Sequence, residues 1–149
     1  MALVQRDFIL RTIEAIAAAV ARALARRQRG DLPGARDEIA AATTELLGSV
    51  APMARLVDVP TAVNLVSDPL RVSLWARLLA EDANVLRDMS RADEGDAADR
   101  RALSLLLELW HRGAELRDDD VALLRELAGR ATPRALAEPY RFYLLALDR

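Results

Sequence analysis

Gly30-Asp31-Leu32-Pro33-Gly34 separates two runs of helix-forming residues, and this turn constrains the fold more than any other stretch of the chain. Glycine adopts the left-handed backbone that ends a helix, and aspartate offers a carboxylate to the first free N–H groups of the next. Proline suits a first helical turn, where its missing donor is not needed. Over residues 5–29, Ile9, Ile13, Ile16, Val20 and Leu24 recur at spacings of three and four, which gathers them on one helix face. After the turn, Ala35, Ile39, Ala42 and Leu46 recur in the same way up to Leu47, and Gly48 is a second stop. An antiparallel helical hairpin follows. Alanines at 15, 17, 18, 19, 21, 23 and 25 would let neighbours approach the first helix on several sides, so it is expected to be central. Arg22, Arg26, Arg27 and Arg29 crowd its end, where positive charge suits the helix dipole.

Downstream the same punctuation recurs. Pro52 and Pro60 divide a weaker pattern into short helical pieces over residues 50–57 and 61–66. Asp68-Pro69 opens a long helix to Met89 with Leu70, Leu74, Leu78, Val85, Leu86 and Met89 inward. Residues 90–96 are polar and read as a loop, with Asp96 capping a helix to His111. That helix is apolar nearly all round, through Ala102, Leu103, Leu105, Leu106, Leu107, Leu109 and Trp110, which suits either a core or a homodimer contact over 97–111. Gly113 ends it. Arg117-Asp118-Asp119-Asp120 begins another, with Val121, Leu124, Leu127 and Ala128 inward and Gly129 as the stop. Thr132-Pro133 starts a last helix, kinked at Pro139 and docked by Leu136, Tyr140, Tyr143, Leu144 and Leu147. The pattern predicts one all-α domain over residues 1–149, with about seven helices in antiparallel hairpins.

Composition narrows the partners and the chemistry. The chain has 29 Ala and 26 Leu, both strong helix formers. With 52% apolar and 30% charged residues it is too hydrophobic for a disordered chain. Residues 1–60 hold eight Arg against seven acids and residues 61–149 thirteen against sixteen, so neither part forms a basic footprint and no nucleic-acid partner is expected. All 21 basic residues are Arg, which excludes Schiff-base lysines and a Walker-type phosphate loop. A GC-rich coding bias accounts for this, since Arg replaces Lys readily on a solvated helix face. Without Cys there are no disulfides, thiolate nucleophiles or Cys-ligated metals. The first residues lack the order of a signal peptide, and charges interrupt every apolar run before the roughly 20 residues of a membrane span. A cytoplasmic protein without a membrane partner is expected.

Catalytic constellations are sparse. His111, the one histidine, sits beside Trp110 near a helix end, where a structural or dipole-facing role suffices. Glu14, Glu45, Glu81, Glu108 and Glu126 do not make up a di-iron pattern, because that needs Glu-x-x-His on two helices and only Glu108 to His111 supplies it. Three adjacent Asp lack the alternating ligands and closing Glu of a calcium loop, and acids favour a helix start. No Gly-rich elbow accompanies the Ser, Thr or Tyr residues. No catalytic, cofactor-binding or metal-binding residue is expected.

Gly30-Asp31, Ala35, Ile39 and Ala42 resemble the second half of a tetratricopeptide repeat, which places small residues at fixed points of its second helix. Gly95-Asp96, Ala102, Leu106 and Leu109 form a weaker echo, with Ala102 following Ala35 by 67 residues, near two periods of about 34. Asp7-Phe8-Ile9-Leu10-Arg11, with Ile13 and Glu14, and the later Leu46-Leu47-Gly48 resemble a family of small, uncharacterised bacterial helical proteins. These resemblances imply a degenerate tetratricopeptide-like fold and no activity. Asp7 with Arg11, and Arg11 with Glu14, are also explained as helix neighbours, although a docking role for Arg11 and Glu14 stays open. A non-catalytic interaction module would present Arg22, Arg77 and Asn84, exposed on a concave face, to a protein or peptide. A small-ligand carrier or an enzyme would instead place a pocket near Trp75, Trp110, Tyr140 and Tyr143. A homodimeric structural protein is the third alternative.

Overall fold

Gly30 takes the left-handed backbone, at φ +83°, and the helix before it closes with N–H bonds from Gly30 to the Arg27 carbonyl (3.0 Å) and from Asp31 to the Arg26 carbonyl (2.8 Å). Asp31 then caps the next helix by accepting from the Gly34 N–H at 3.0 Å. A computed structural model describes residues 2–147, with side chains described from residue 4 onward except that of residue 133. Its helices are α1 (Ala2–Gln28), α2 (Leu32–Leu47), the single turn α3 (Ala51–Ala54), α4 (Val59–Val66), α5 (Pro69–Asp88), α6 (Ala92–His111), α7 (Asp118–Arg130) and α8 (Tyr140–Leu147). Among the described residues, seven helices therefore span eight residues or more. The fold is all-α with antiparallel packing.

The hairpin of α5 and α6 forms the centre. Val72, Trp75, Leu78 and Val85 of α5 and Leu103, Leu105, Leu106, Leu107 and Leu109 of α6 are all buried. Helix α2 packs on α5, while α4, α7 and α8 pack on α6, so the apolar positions around α6 are covered by its own chain. Ala102, Leu103, Leu105, Leu106, Leu107 and Leu109, expected as either core or a dimer contact, are thus core, and Trp110 at the end of the helix is 36% exposed. Helix α1 lies at the edge instead of the centre, because α2 and α5 cover one side only: Ile16, Ala19, Val20 and Ala23 are buried, but Ile9 and Leu24 are 43% and 40% exposed.

Polar bonds stitch these helices together. Arg36 of α2 forks onto Asp82 of α5 at 2.8 and 3.0 Å, and Arg27 of α1 bonds Asp88 of α5 at 2.5 Å. Buried Asp99 of α6 accepts from Arg87 of α5 at 2.5 Å and from Arg130 of α7 at 3.4 Å. Arg101 of α6 donates to the carbonyls of Ala54 (2.6 Å) and Val57 (2.9 Å), and its guanidinium lies 5.3 Å from the centre of the Trp75 ring. This clamp fastens the α3–α4 segment to the core by satisfying carbonyls that the short α3 leaves free.

The pieces expected over residues 50–57 and 61–66 are the single turn α3 and a helix α4 that starts two residues earlier, at Val59, and three further boundaries differ from expectation. Helix α6 starts at Ala92, not after Asp96. Ser90, at φ +62°, builds the turn, with N–H bonds from Ser90 to the Arg87 carbonyl (3.0 Å) and from Arg91 to the Leu86 carbonyl (2.8 Å), the same pair of closures as at Gly30. Gly95 is a contact residue: a Cβ there would stand 2.9 Å from the Ala83 carbonyl oxygen of α5. The structural echo of Gly30 and Ala35 is therefore Ser90 and Gly95, and Ala102 matches Ala42. Gly129 lies inside α7, which ends one residue later at an extended Ala131. No helix runs through Pro139; a 3₁₀ turn, Pro133–Ala135, is followed by irregular chain with a cis Glu138-Pro139 bond, and α8 begins at Tyr140.

Candidate interaction surface

At 1.5 Å per residue α1 is about 40 Å long and α2 about 24 Å, so the start of α1 runs past its partner. Along this overhang Val4 and Phe8 are 71% and 55% exposed, and Leu10 is 48% exposed. Between the outer faces of α1 and α2 runs a groove of about 590 Å³. Its apolar lining combines exposed Phe8, Ala15, Ala18 and Ala41 with buried Ile16, Ala19, Ala42 and Leu46. Arg11 and Arg22 stand on the α1 edge and Glu38 and Glu45 on the α2 edge, and a third cation, Arg71 of α5, which pairs with Asp68 at 3.8 Å, also lines the groove.

The two ends of the groove differ in electrostatics. Near the turn, Glu38 accepts from Arg22 at 3.0 Å and from Arg26 at 3.2 Å, and these cations hold its carboxyl below the ordinary range. Towards the overhang, Arg11 and Glu45 make no hydrogen bond or ion pair among the described residues. The groove therefore carries one basic and one acidic edge, and its outer charges have no partner among the described residues. Phe8 and Arg11 lie on a second helical stripe, Val4, Phe8, Arg11, Ala15, Ala18 and Arg22, spaced by three and four. This signal was present in the sequence, hidden beneath the stronger isoleucine stripe on the opposite side.

Arg22 lies in the groove, whereas Arg77 and Asn84 lie together on α5, two turns apart and half-buried rather than exposed. Neither makes a side-chain hydrogen bond or ion pair among the described residues. Between them Glu81 is pushed above the ordinary carboxylate range by burial, against the pull of Arg77 and Arg27. The three residues named from sequence are thus split between two surfaces.

Other chemical candidates have local partners. Buried Glu108 accepts from the Tyr140 hydroxyl at 2.8 Å and from Arg112 Nε. Burial first, and then this bond, push the Tyr140 phenol well above its usual range. His111 Nδ1 lies 2.9 Å from the Tyr143 hydroxyl, away from Glu108. Asp120 folds back onto the Arg117 N–H at 3.0 Å, which closes the start of α7. Trp75 and Tyr140 line different cavities, and Trp110 meets Tyr143 with ring centres 5.0 Å apart at a tilt of 55°, so the four aromatic residues do not enclose one pocket. Among the described residues no three His, Cys, Asp or Glu are grouped to hold a metal, and no helix is long and apolar enough to cross a membrane. Comparison with known families, curated proteins and solved structures finds no match for this chain.

Proposed function

We propose that the chain is a non-catalytic interaction module, a degenerate stack of tetratricopeptide-like hairpins that docks another protein helix on the outer face of its first hairpin. The observation that carries this is the α1–α2 groove, with its alanine lining, exposed Phe8 and unbonded Arg11 and Glu45. Solenoid ends in contact only with water carry polar outer faces, whereas this end carries an alanine-lined groove with exposed Phe8 between its charged edges. Small side chains let a docked helix approach closely, while Phe8 supplies an aromatic anchor of the kind that dominates interface energetics.

A photo-crosslinking residue placed at Ala15 in cells producing the chain tests this, with the same residue at exposed Ala122 of α7 as the reference. A protein adduct from position 15 alone is the expected result. Equal adducts from both positions, or none from either, would overturn it. The unbonded Arg77 and Asn84 favour a second contact on α5, checked by moving the cross-linker to Asn84.

A further inference from the structure

We infer that the occupant of the α1–α2 groove is a second copy of this chain, held face to face by a two-fold axis that runs along the helices. The inference rests on the reading of this face as an interaction surface and adds the identity of the partner. Its basis is the sign and placement of charge. Arg11 and Arg22 line one edge of the groove and Glu38 and Glu45 the other, while Arg71 of α5, also in the lining, is paired with Asp68. A two-fold contact repeats the same patch on both subunits, so only a self-complementary patch can form it. An axis parallel to the helices lays each α1 on the partner's α2 and brings basic edge to acidic edge. An axis across the helices would lay arginine on arginine. The charge pattern therefore selects one symmetric arrangement.

The arrangement also supplies what each chain lacks. The antiparallel hairpin sets Arg22 level with Glu38, which it bonds at 3.0 Å, so that at about 1.5 Å per residue Arg11 stands about 6 Å, one helical turn, beyond Glu45 on the other edge. In the pair of chains the Arg11 side chain reaches back over that turn towards the second copy's Glu45, and the relation is repeated by symmetry. Phe8 and the alanines of the two grooves are removed from water in the same contact, forming a four-helix layer with closely spaced backbones.

Sedimentation equilibrium of the full chain tests this, with the mass of two chains expected for the wild type. Arg11→Glu and Glu45→Arg are each expected to weaken the dimer about tenfold, two opposed pairs having become two repulsive ones, and the double variant to return to within about threefold of wild type. All these positions are exposed, so far-UV circular dichroism should be unchanged. If either reversal fails to fold, Ala41→Arg in the exposed groove lining is expected to give a monomer. A monomeric wild type, or a dimer indifferent to the single reversals, overturns the inference. A cross-link from Ala15 to a different protein, with the chain itself monomeric, would leave the interaction module standing and remove the second copy. A groove that neither dimerises nor cross-links removes both.

Discussion

Two glycines inside helices should respond to alanine in opposite directions. In a helix interior alanine is favoured over glycine by about 1 kcal/mol, because glycine loses more backbone freedom on folding. At Gly129 of α7 an added Cβ meets nothing within 4 Å, so Gly129→Ala is expected to keep most of that gain, about 0.5–1 kcal/mol. At Gly95 the Cβ would lie 2.9 Å from the Ala83 carbonyl oxygen and 3.0 Å from Arg87 Cγ. The arginine stem can move; the carbonyl belongs to a packed α5 backbone and cannot. Separating α5 from α6 disturbs the best-packed layer of the protein, at a cost of about 1–3 kcal/mol for overpacking. The propensity gain does not cover this. Gly95→Ala should therefore lose about 1 kcal/mol net, a fall in Tm of about 2–4 °C for a chain of this size. Urea unfolding followed by circular dichroism measures both variants, provided m stays constant. If Gly95→Ala proves as stable as Gly129→Ala, the close approach of α5 and α6 is not what makes residue 95 glycine.

Asp99→Ala removes the acceptor shared by Arg87 and Arg130, whose side chains are 29% and 38% exposed and can take up water, so a loss of about 1–3 kcal/mol is expected in the same unfolding experiment. Tyr140→Phe leaves Glu108 bonded to Arg112 and should cost about 1–2 kcal/mol by thermal melting; no change would mean that the hydroxyl bond contributes nothing. Glu81 has its folded pKa raised by burial, so its contribution to stability is present below its unfolded value, near 4.5, and is lost as pH rises through the folded value. Glu81→Gln should accordingly match wild type in acid and become the more stable form towards neutral pH; a constant difference across that range would contradict the burial argument. Asn84→Ala breaks no side-chain hydrogen bond, so stability should stay within about 0.5 kcal/mol and the mass in solution should not change.

Caps and stops were the most legible part of the sequence. Asp31 and Asp68 each accept from the N–H of a residue two or three places on, and proline follows each within the first two helical positions; Asp58 caps α4 in the same way, a cap missed by starting that helix at residue 61. Local rules suffice there because the bonds are local. Gly95 misled for a related reason: glycine beside aspartate has the composition of a turn, whereas the turn was made by Ser90 and the glycine was needed for a contact with α5 that only the tertiary fold reveals. The isoleucine stripe of α1 likewise marked a helix correctly but not its depth, since burial depends on what arrives from elsewhere in the chain. Arginine use was only partly a matter of solvated faces: Arg36 forks onto Asp82 through Nε and Nη2, a geometry that a single ammonium could not reproduce, and Arg87 and Arg101 each bridge elements through two bonds from one Nη2. The groove itself was written in the Val4 to Arg22 spacing, but its acidic edge came from another helix.

Arg101 sets an order of events during synthesis. It holds carbonyls 47 and 44 residues earlier in the chain, at Ala54 and Val57. A chain emerging from the ribosome can close the α1–α2 hairpin once residue 47 has left it, because those contacts are near in sequence. The α3–α4 segment has no such option. Its carbonyls at Ala54 and Val57 wait for Arg101, and α4, which packs on both α5 and α6, completes its burial only when α6 has been translated and folded back, so the middle of the protein is the last of its first two-thirds to become solid.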